Sequence, residues 1–149
     1  MRKKFFILAI VCVGMTGNLF SFELGLIGGK ISNPSEAFFG ISGGSGFLFP
    51  MVKLEVEYWK LSDTDFKALS GGIKFRPRFG MISPYAVLGV GSEFGTFDFK
   101  FSDYNNFSFL GVGVHLHFIQ AASLRIDIRF LNYSGYNRTR FSGGIFLHL

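Results

Sequence analysis

Cysteine is almost missing from this chain: Cys12 is the single one in 149 residues. With no second thiol, a disulfide framework is excluded. Charge is scarce as well. Asp, Glu, Lys and Arg make up 17% of the sequence, against roughly 25% in soluble domains. Long apolar runs are lacking too: after Ser21 no stretch approaches the roughly 20 residues that a membrane-spanning helix needs. Yet the mean hydropathy is +0.35, with 21 phenylalanines and 20 glycines. A chain this apolar without a helical span must place its apolar surface by other means. A β-barrel in a membrane does so by alternation, with apolar residues towards lipid and polar or small ones towards the lumen.

The first residues have the layout of a secretory leader. Arg2, Lys3 and Lys4 form a positive start, and Phe5 to Met15 is an apolar run broken by Gly14. Thr16 to Ser21 is a short segment of small, polar and apolar residues. That order predicts a signal peptide over residues 1–21 and a mature domain over 22–149. Cys12 falls inside the leader, and bulky Val11 before it argues against lipid attachment. Loss of Arg2, Lys3 and Lys4 with the leader lowers the formal net charge from +5 to +2. The basic balance is then too small and too dispersed for a nucleic-acid surface, which needs a clustered basic face. No nucleic-acid partner is expected.

Period-two alternation runs through the mature part. Val52, Leu54, Val56 and Tyr58 interleave with Lys53, Glu55 and Glu57. Leu110, Val112, Val114 and Leu116 interleave with Gly111, Gly113, His115 and His117. Leu124, Ile126, Ile128 and Phe130 interleave with Arg125, Asp127 and Arg129, and the last ten residues alternate in the same way. This pattern puts one set of side chains on each face of a strand. It predicts an all-β fold of eight strands near 22–31, 37–49, 51–61, 65–77, 82–94, 106–118, 123–133 and 140–149. The second span is the least regular, because Phe38, Phe39, Phe47 and Phe49 occupy both phases. An even strand number brings both termini to one end, the periplasmic end in such barrels. The connections 32–36, 61–65, 95–106 and 134–139 then lie outside.

Leu88-Gly89-Val90-Gly91 echoes Leu110-Gly111-Val112-Gly113. No strand–turn–helix context surrounds either run, so these glycines do not read as a phosphate loop. They read as relief of crowding inside a narrow barrel.

Pro84-Tyr85-Ala86-Val87-Leu88-Gly89-Val90-Gly91, the run Leu110 to Phe118, the run Leu124 to Phe130 and a final alternating strand together resemble the OmpA-like eight-stranded outer-membrane barrels. The likeness covers the whole mature chain and rests on order and texture. It implies an outer-membrane location, lipid and the barrel-assembly machinery as partners, a monomer, and no cofactor. One departure is that the chain ends on Leu149 where the resemblance implies phenylalanine.

The expected lipid face is Leu54, Val56, Leu88, Val90, Leu110, Val112, Ile126, Ile128, Ile145 and Leu147. The expected lumen network is Glu55, Glu57, Lys74, Arg76, Glu93, His115, His117, Asp127, Arg129, Arg140 and His148. Buried charges must find partners. Glu55 and Glu57 are placed to meet Lys74 and Arg76 on the next strand, and Asp127 lies between Arg125 and Arg129. His115, His117 and His148 are a conceivable imidazole set, but no carboxylate or cysteine is fixed near them by spacing, so no metal site is assigned. Asn132-Tyr133-Ser134-Gly135 sits where lipid A deacylases of this shape carry a His-x-Ser-Asn motif. Asn132 replaces the base that would activate Ser134, so no catalytic residue is assigned. The reading that follows is a non-enzymatic barrel with a structural or surface-interaction role, with loop 95–106 as the route to a surface partner. The alternatives are a small conduit or binding barrel for apolar ligands, as in OmpW-like proteins, then a lipid A-modifying enzyme. A soluble, lipocalin-like barrel fails because its outer face would carry too little charge for water.

Overall fold

The computed structural model describes residues 21–46, 51–95 and 104–149. The expected leader, apart from Ser21, and most of the connection 95–106 lie outside the described residues. The strands are β1 Phe22–Ile31, β2 Glu36–Gly46, β3 Val52–Leu61, β4 Lys67–Phe75, β5 Ile82–Phe94, β6 Asn105–Ile119, β7 Ala122–Tyr133 and β8 Tyr136–His148. Every strand pairs antiparallel with its neighbours in chain order, and β8 returns to β1 to close the barrel. Along that seam Leu26 faces Ile145, Gly28 faces Gly143 and Lys30 faces Phe141. Closure leaves no unpaired strand edge. It is the form in which strands satisfy every backbone group inside lipid.

The alternation of the sequence becomes an alternation of faces. In β3, Lys53, Glu55, Glu57, Trp59 and Leu61 are buried in the lumen while Leu54 and Val56 are exposed. β7 repeats the rule, with Ser123, Arg125, Asp127, Arg129, Leu131 and Tyr133 inside and Leu124, Ile126 and Phe130 outside. β2, the irregular span, resolves cleanly: Phe38 is buried and Phe39 exposed. Phe47 and Phe49 lie outside the described residues.

Three strand ends differ from expectation. The last strand begins at Tyr136, not at residue 140. Asn132 pairs with Asn137, and Tyr133 with Tyr136, so the β7–β8 connection is the two residues Ser134-Gly135. Gly135, the second of the two, has a positive φ of 101°, a backbone conformation that glycine adopts readily. The stacked rings of Tyr133 and Tyr136, 4.7 Å apart, extend the ladder over residues whose types alone suggest a turn. The fourth strand is shorter than expected, Lys67–Phe75 rather than 65–77, because Asp65 takes a left-handed backbone at one end and Pro77 has no amide to donate at the other. The β4–β5 connection, residues 76–81, is longer than the β7–β8 turn at the opposite end.

Glycine has two distinct uses here. A Cβ on lumen-facing Gly40 would lie 2.6 Å from the Trp59 Cα, and one on Gly89 would lie 2.7 Å from the Gly72 Cα. Outward-facing Gly43 has no atom within 4 Å of such a Cβ. Gly40→Ala therefore overpacks the wall against backbone, at a cost of about 1–3 kcal/mol. Gly43→Ala is expected to be neutral or to stabilise by up to about 1 kcal/mol. Urea unfolding in lipid vesicles checks the contrast, and equal midpoints for the two variants would contradict it.

Candidate functional site

The buried side chains that point into the lumen fall into three levels. The level farthest from the termini is largely apolar. Ile31, Phe38, Trp59, Leu61, Ala68, Phe107, Leu131 and Tyr133 are all buried there. Above them Glu93 accepts a hydrogen bond from the Tyr133 hydroxyl at 2.5 Å and pairs with Arg138 at 3.4 Å. Arg138 also donates to the Ser32 carbonyl. Glu36 accepts from the Asp63 and Thr64 amides at 2.9 and 2.7 Å. These bonds fasten two of the connections at that end to the barrel wall.

The middle level is a charge cluster that crosses the bore. β3 and β7 stand on opposite sides of the eight-stranded closure. Arg125 Nη1 bonds Glu55 at 2.9 Å and its Nη2 bonds Glu57 at 2.7 Å. Arg129 Nη2 reaches Glu55 at 2.7 Å, Glu57 at 3.0 Å and Asp127 at 3.0 Å. Arg140 on β8 bonds Glu57 at 2.7 Å. The Tyr85 hydroxyl donates to Asp127 at 2.6 Å, and the Ser142 hydroxyl donates to the same carboxylate. Each cation also lies against an aromatic ring. Arg125 is 4.5 Å from the Phe146 centroid, Arg129 is 5.2 Å from Phe109, Arg140 is 5.1 Å from Phe38, and Lys74 is 4.6 Å from Tyr85. The low dielectric of such an interior strengthens each contact and makes any unpaired charge costly.

The level nearest the termini gathers Glu23, Lys53, Arg76 and the histidines. Arg76 pairs with Glu23 at 2.6 Å, Lys74 with Glu23 at 3.5 Å, and Lys74 also with Glu55. The Ser123 hydroxyl bridges His115 Nδ1 at 2.9 Å and His148 Nε2 at 2.8 Å. Ser83 bonds His117 at 3.0 Å. His148 Nδ1 is 3.7 Å from Glu23, so the outline of a Ser–His–Glu relay exists. However, Ser123 is fully buried beneath the imidazoles, and a nucleophile without an approach for substrate performs no chemistry. Among the described residues no group of three or more His, Cys, Asp or Glu is arranged to hold a metal ion.

Each expected lumen residue can now be placed. Glu55, Glu57, Lys74, Asp127, Arg129 and Arg140 share the central cluster. Arg76, His115, His117 and His148 lie nearer the termini, and Glu93 lies at the opposite end. One expected pairing is corrected: Arg76 meets Glu23 on β1, not Glu55 or Glu57. Glu55 faces Gly72 and Glu57 faces Ser70 across the β3–β4 ladder, so Glu57 finds its cations across the bore. Glu23, Glu36, Lys53 and Arg138 belong to the buried polar set and were not anticipated. Glu23 and Lys53 obey the same alternation as their neighbours, a signal available in the sequence. Glu36 and Arg138 were hidden by the late starts assigned to the second and last strands. Outside, Leu54, Val56, Leu88, Val90, Leu110, Val112, Ile126, Ile145 and Leu147 are exposed. Ile128 also points outward and is half-buried. Phe22, Phe75, Phe79 and Phe118 ring the end nearest the termini. Phe39, Phe130 and Phe141 stand towards the other end, as the aromatic girdles of membrane barrels do.

No family model and no curated protein matches the chain. Solved structures match it by shape. The N-terminal β-barrel domain of Pseudomonas aeruginosa OprF aligns over 87% of this chain and 97% of its own, at 16% identity and a TM-score of 0.74. Ail, the attachment invasion locus protein of Yersinia pestis, aligns over 87% of this chain and 97% of its own, at 12% identity and a TM-score of 0.60. The outer-membrane enzyme PagL aligns over 85% and 98%, at 13% identity and a TM-score of 0.55. The chain thus has the fold of the OmpA-like eight-stranded outer-membrane barrels, a fold that carries both enzymes and non-enzymes.

Proposed function

We propose that this chain, a barrel of the outer-membrane type, is a sealed and non-enzymatic element of the envelope, acting in its structure or through contacts at its outer end. In this reading residues 1–21 direct export, and the termini lie on the periplasmic side. The end bearing the connections 32–35, 62–66, 95–104 and 134–135 then faces outside. The observation that carries the proposal is the charge cluster joining β3 to β7 and β8 across the bore. An eight-stranded interior is just wide enough for side chains to fill, and here ion pairs and rings fill it. A conduit for apolar ligands needs an open path at this level, which the cluster occupies. A lipid A-modifying role has support only from fold-level likeness, since Asn132 stands where the motif has its base and points outward.

Electrical recording tests this directly. Purified protein in planar bilayers is expected to show no stepwise conductance. Reproducible single-channel steps from the wild type would replace the sealed barrel with the conduit.

A further inference from the structure

Charge is not spread evenly along the bore. In the centre Glu55, Glu57 and Asp127 face Arg125, Arg129 and Arg140, so acids and bases balance. At the end away from the termini Glu36 and Glu93 share Arg138, an excess of acid. At the end nearest the termini the imbalance is reversed. Lys53 and Arg76 both pair with Glu23, and Lys74 reaches Glu23 as well as Glu55. Arg78, in the connection after β4, bonds the Gly80 carbonyl and meets no acid among the described residues. Glu23 is the one acidic side chain at this end among the described residues. Even with Lys74 assigned to the centre, Lys53, Arg76 and Arg78 therefore share a single negative charge. Hydrogen-bonding capacity is unspent there too. Arg76 makes its contact with Glu23 through Nη1, and Lys53 Nζ donates to the Ser21 hydroxyl. His117 uses Nε2 on Ser83, while its Nδ1 is buried without a partner. His117 lies close enough to Arg76, Arg78, Glu23 and Lys53 to feel their charges.

We propose that the mouth of the lumen nearest the termini is a binding site for a small oxyanion of the phosphate or carboxylate class, held by Lys53, Arg76, Arg78 and His117. A buried cation without a counter-charge is costly, and no side chain at this end supplies the missing negative charge. An anion taken from water does. An oxyanion matches the donors present, because a guanidinium offers paired N–H groups in a fixed fork that fits two oxygens of one anion. With the Ser83 hydroxyl donating to Nε2, His117 Nδ1 carries the ring proton and adds a directed donor. The way in is open at the rim. Arg78 is exposed and the His148 side chain is 17% exposed, whereas that of Glu23 is 1% exposed and forms the floor. These groups belong to the lumen face or to the 76–81 connection rather than to the lipid-facing strand positions, so the ligand comes from water and not from the bilayer. The site needs no open bore and no particular orientation; in the orientation proposed above it meets the periplasm.

Inorganic phosphate is the probe. The barrel in phosphatidylcholine nanodiscs is titrated with phosphate at constant ionic strength near neutral pH, and its amide chemical shifts are followed by NMR. Saturable shifts are expected around residues 76–81 and His117. Arg76→Gln is expected to weaken binding roughly tenfold, as loss of a charged hydrogen-bond donor does. Arg78→Gln is expected to weaken it about threefold, since that group is exposed. Glu23→Gln, which removes the competing carboxylate, is expected to tighten it, and Lys60→Gln at the far end to change nothing. Arg78 lies outside the strands, so its arm stays readable if Arg76→Gln or Glu23→Gln fails to fold. Absence of saturable binding, or unchanged binding in both arginine variants, overturns the site. Chloride that binds as tightly as phosphate overturns the oxyanion class. The same titration in micelles of a nonionic detergent, free of lipid, is expected to give the same dissociation constant. Binding that vanishes there overturns the placement in the lumen and makes lipid headgroups the source of the effect.

Discussion

Replacing Arg129 by alanine is expected to cost the barrel about 3–5 kcal/mol, the largest loss from any single truncation in the lumen. The guanidinium is buried and bonds Glu55, Glu57 and Asp127 at once. Its removal leaves three carboxylates close together with one fewer cation. The remaining cations, Arg125, Arg140 and Lys74, are already engaged with those acids. The loss therefore comes less from a broken attraction than from buried charge left without compensation. The cation–π contact with Phe109 disappears as well. The reasoning also predicts a partial rescue. Glu57→Gln added to Arg129→Met removes one stranded charge and keeps most of the volume, so the double variant should be more stable than Arg129→Ala. Urea unfolding in lipid vesicles gives the measurement. A single variant that unfolds at the wild-type midpoint would show that the cluster is hydrated and contributes little to the wall.

The second large effect is on the opposite face. Val112 points outward from the middle of β6, with Ala86 and Ile128 as its ladder partners. It is exposed in the free barrel, and in the membrane that surface meets lipid. Arginine there is expected to cost about 2–4 kcal/mol, since the charge has no acid on the wall to pair with and must reach the headgroups or drag water inward. Ser108 lies on the same strand and face, two outward positions nearer the rim. Ser108→Arg is expected to cost about 0–1 kcal/mol, because the depth penalty fades at the interface. The difference between the two variants is the informative quantity. Equal midpoints would mean that β6 does not cross at the depth assigned to it.

Both effects depend on knowing which way a side chain points, and that much was written in the sequence. Strict alternation at Val52–Tyr58 and Leu124–Phe130 assigns each residue to one of two faces, because a strand repeats every two residues. The scarcity of charge together with high hydropathy then decides which face meets lipid. Strand number followed from the turn residues, and the start of the last strand was misjudged because pairing there overrode residue type. Tyr136 and Asn137 look like loop residues by composition, yet they zip onto Tyr133 and Asn132.

Partner identity was a different matter. Periodicity says that Glu57 points inward, but not that it meets Arg125, Arg129 and Arg140 rather than a neighbour on β4. The adjacent ladder places Ser70 opposite Glu57, and the contacts that count run across the bore. They depend on the tilt and stagger with which the sheet closes, properties of all eight strands together that no single segment encodes. Glu23 shows the same limit from the other side. Its face was legible in β1, while its pairing with Arg76, at the end of β4 three strands away in chain order, exists only because the sheet curls until β1 and β4 side chains share one narrow lumen.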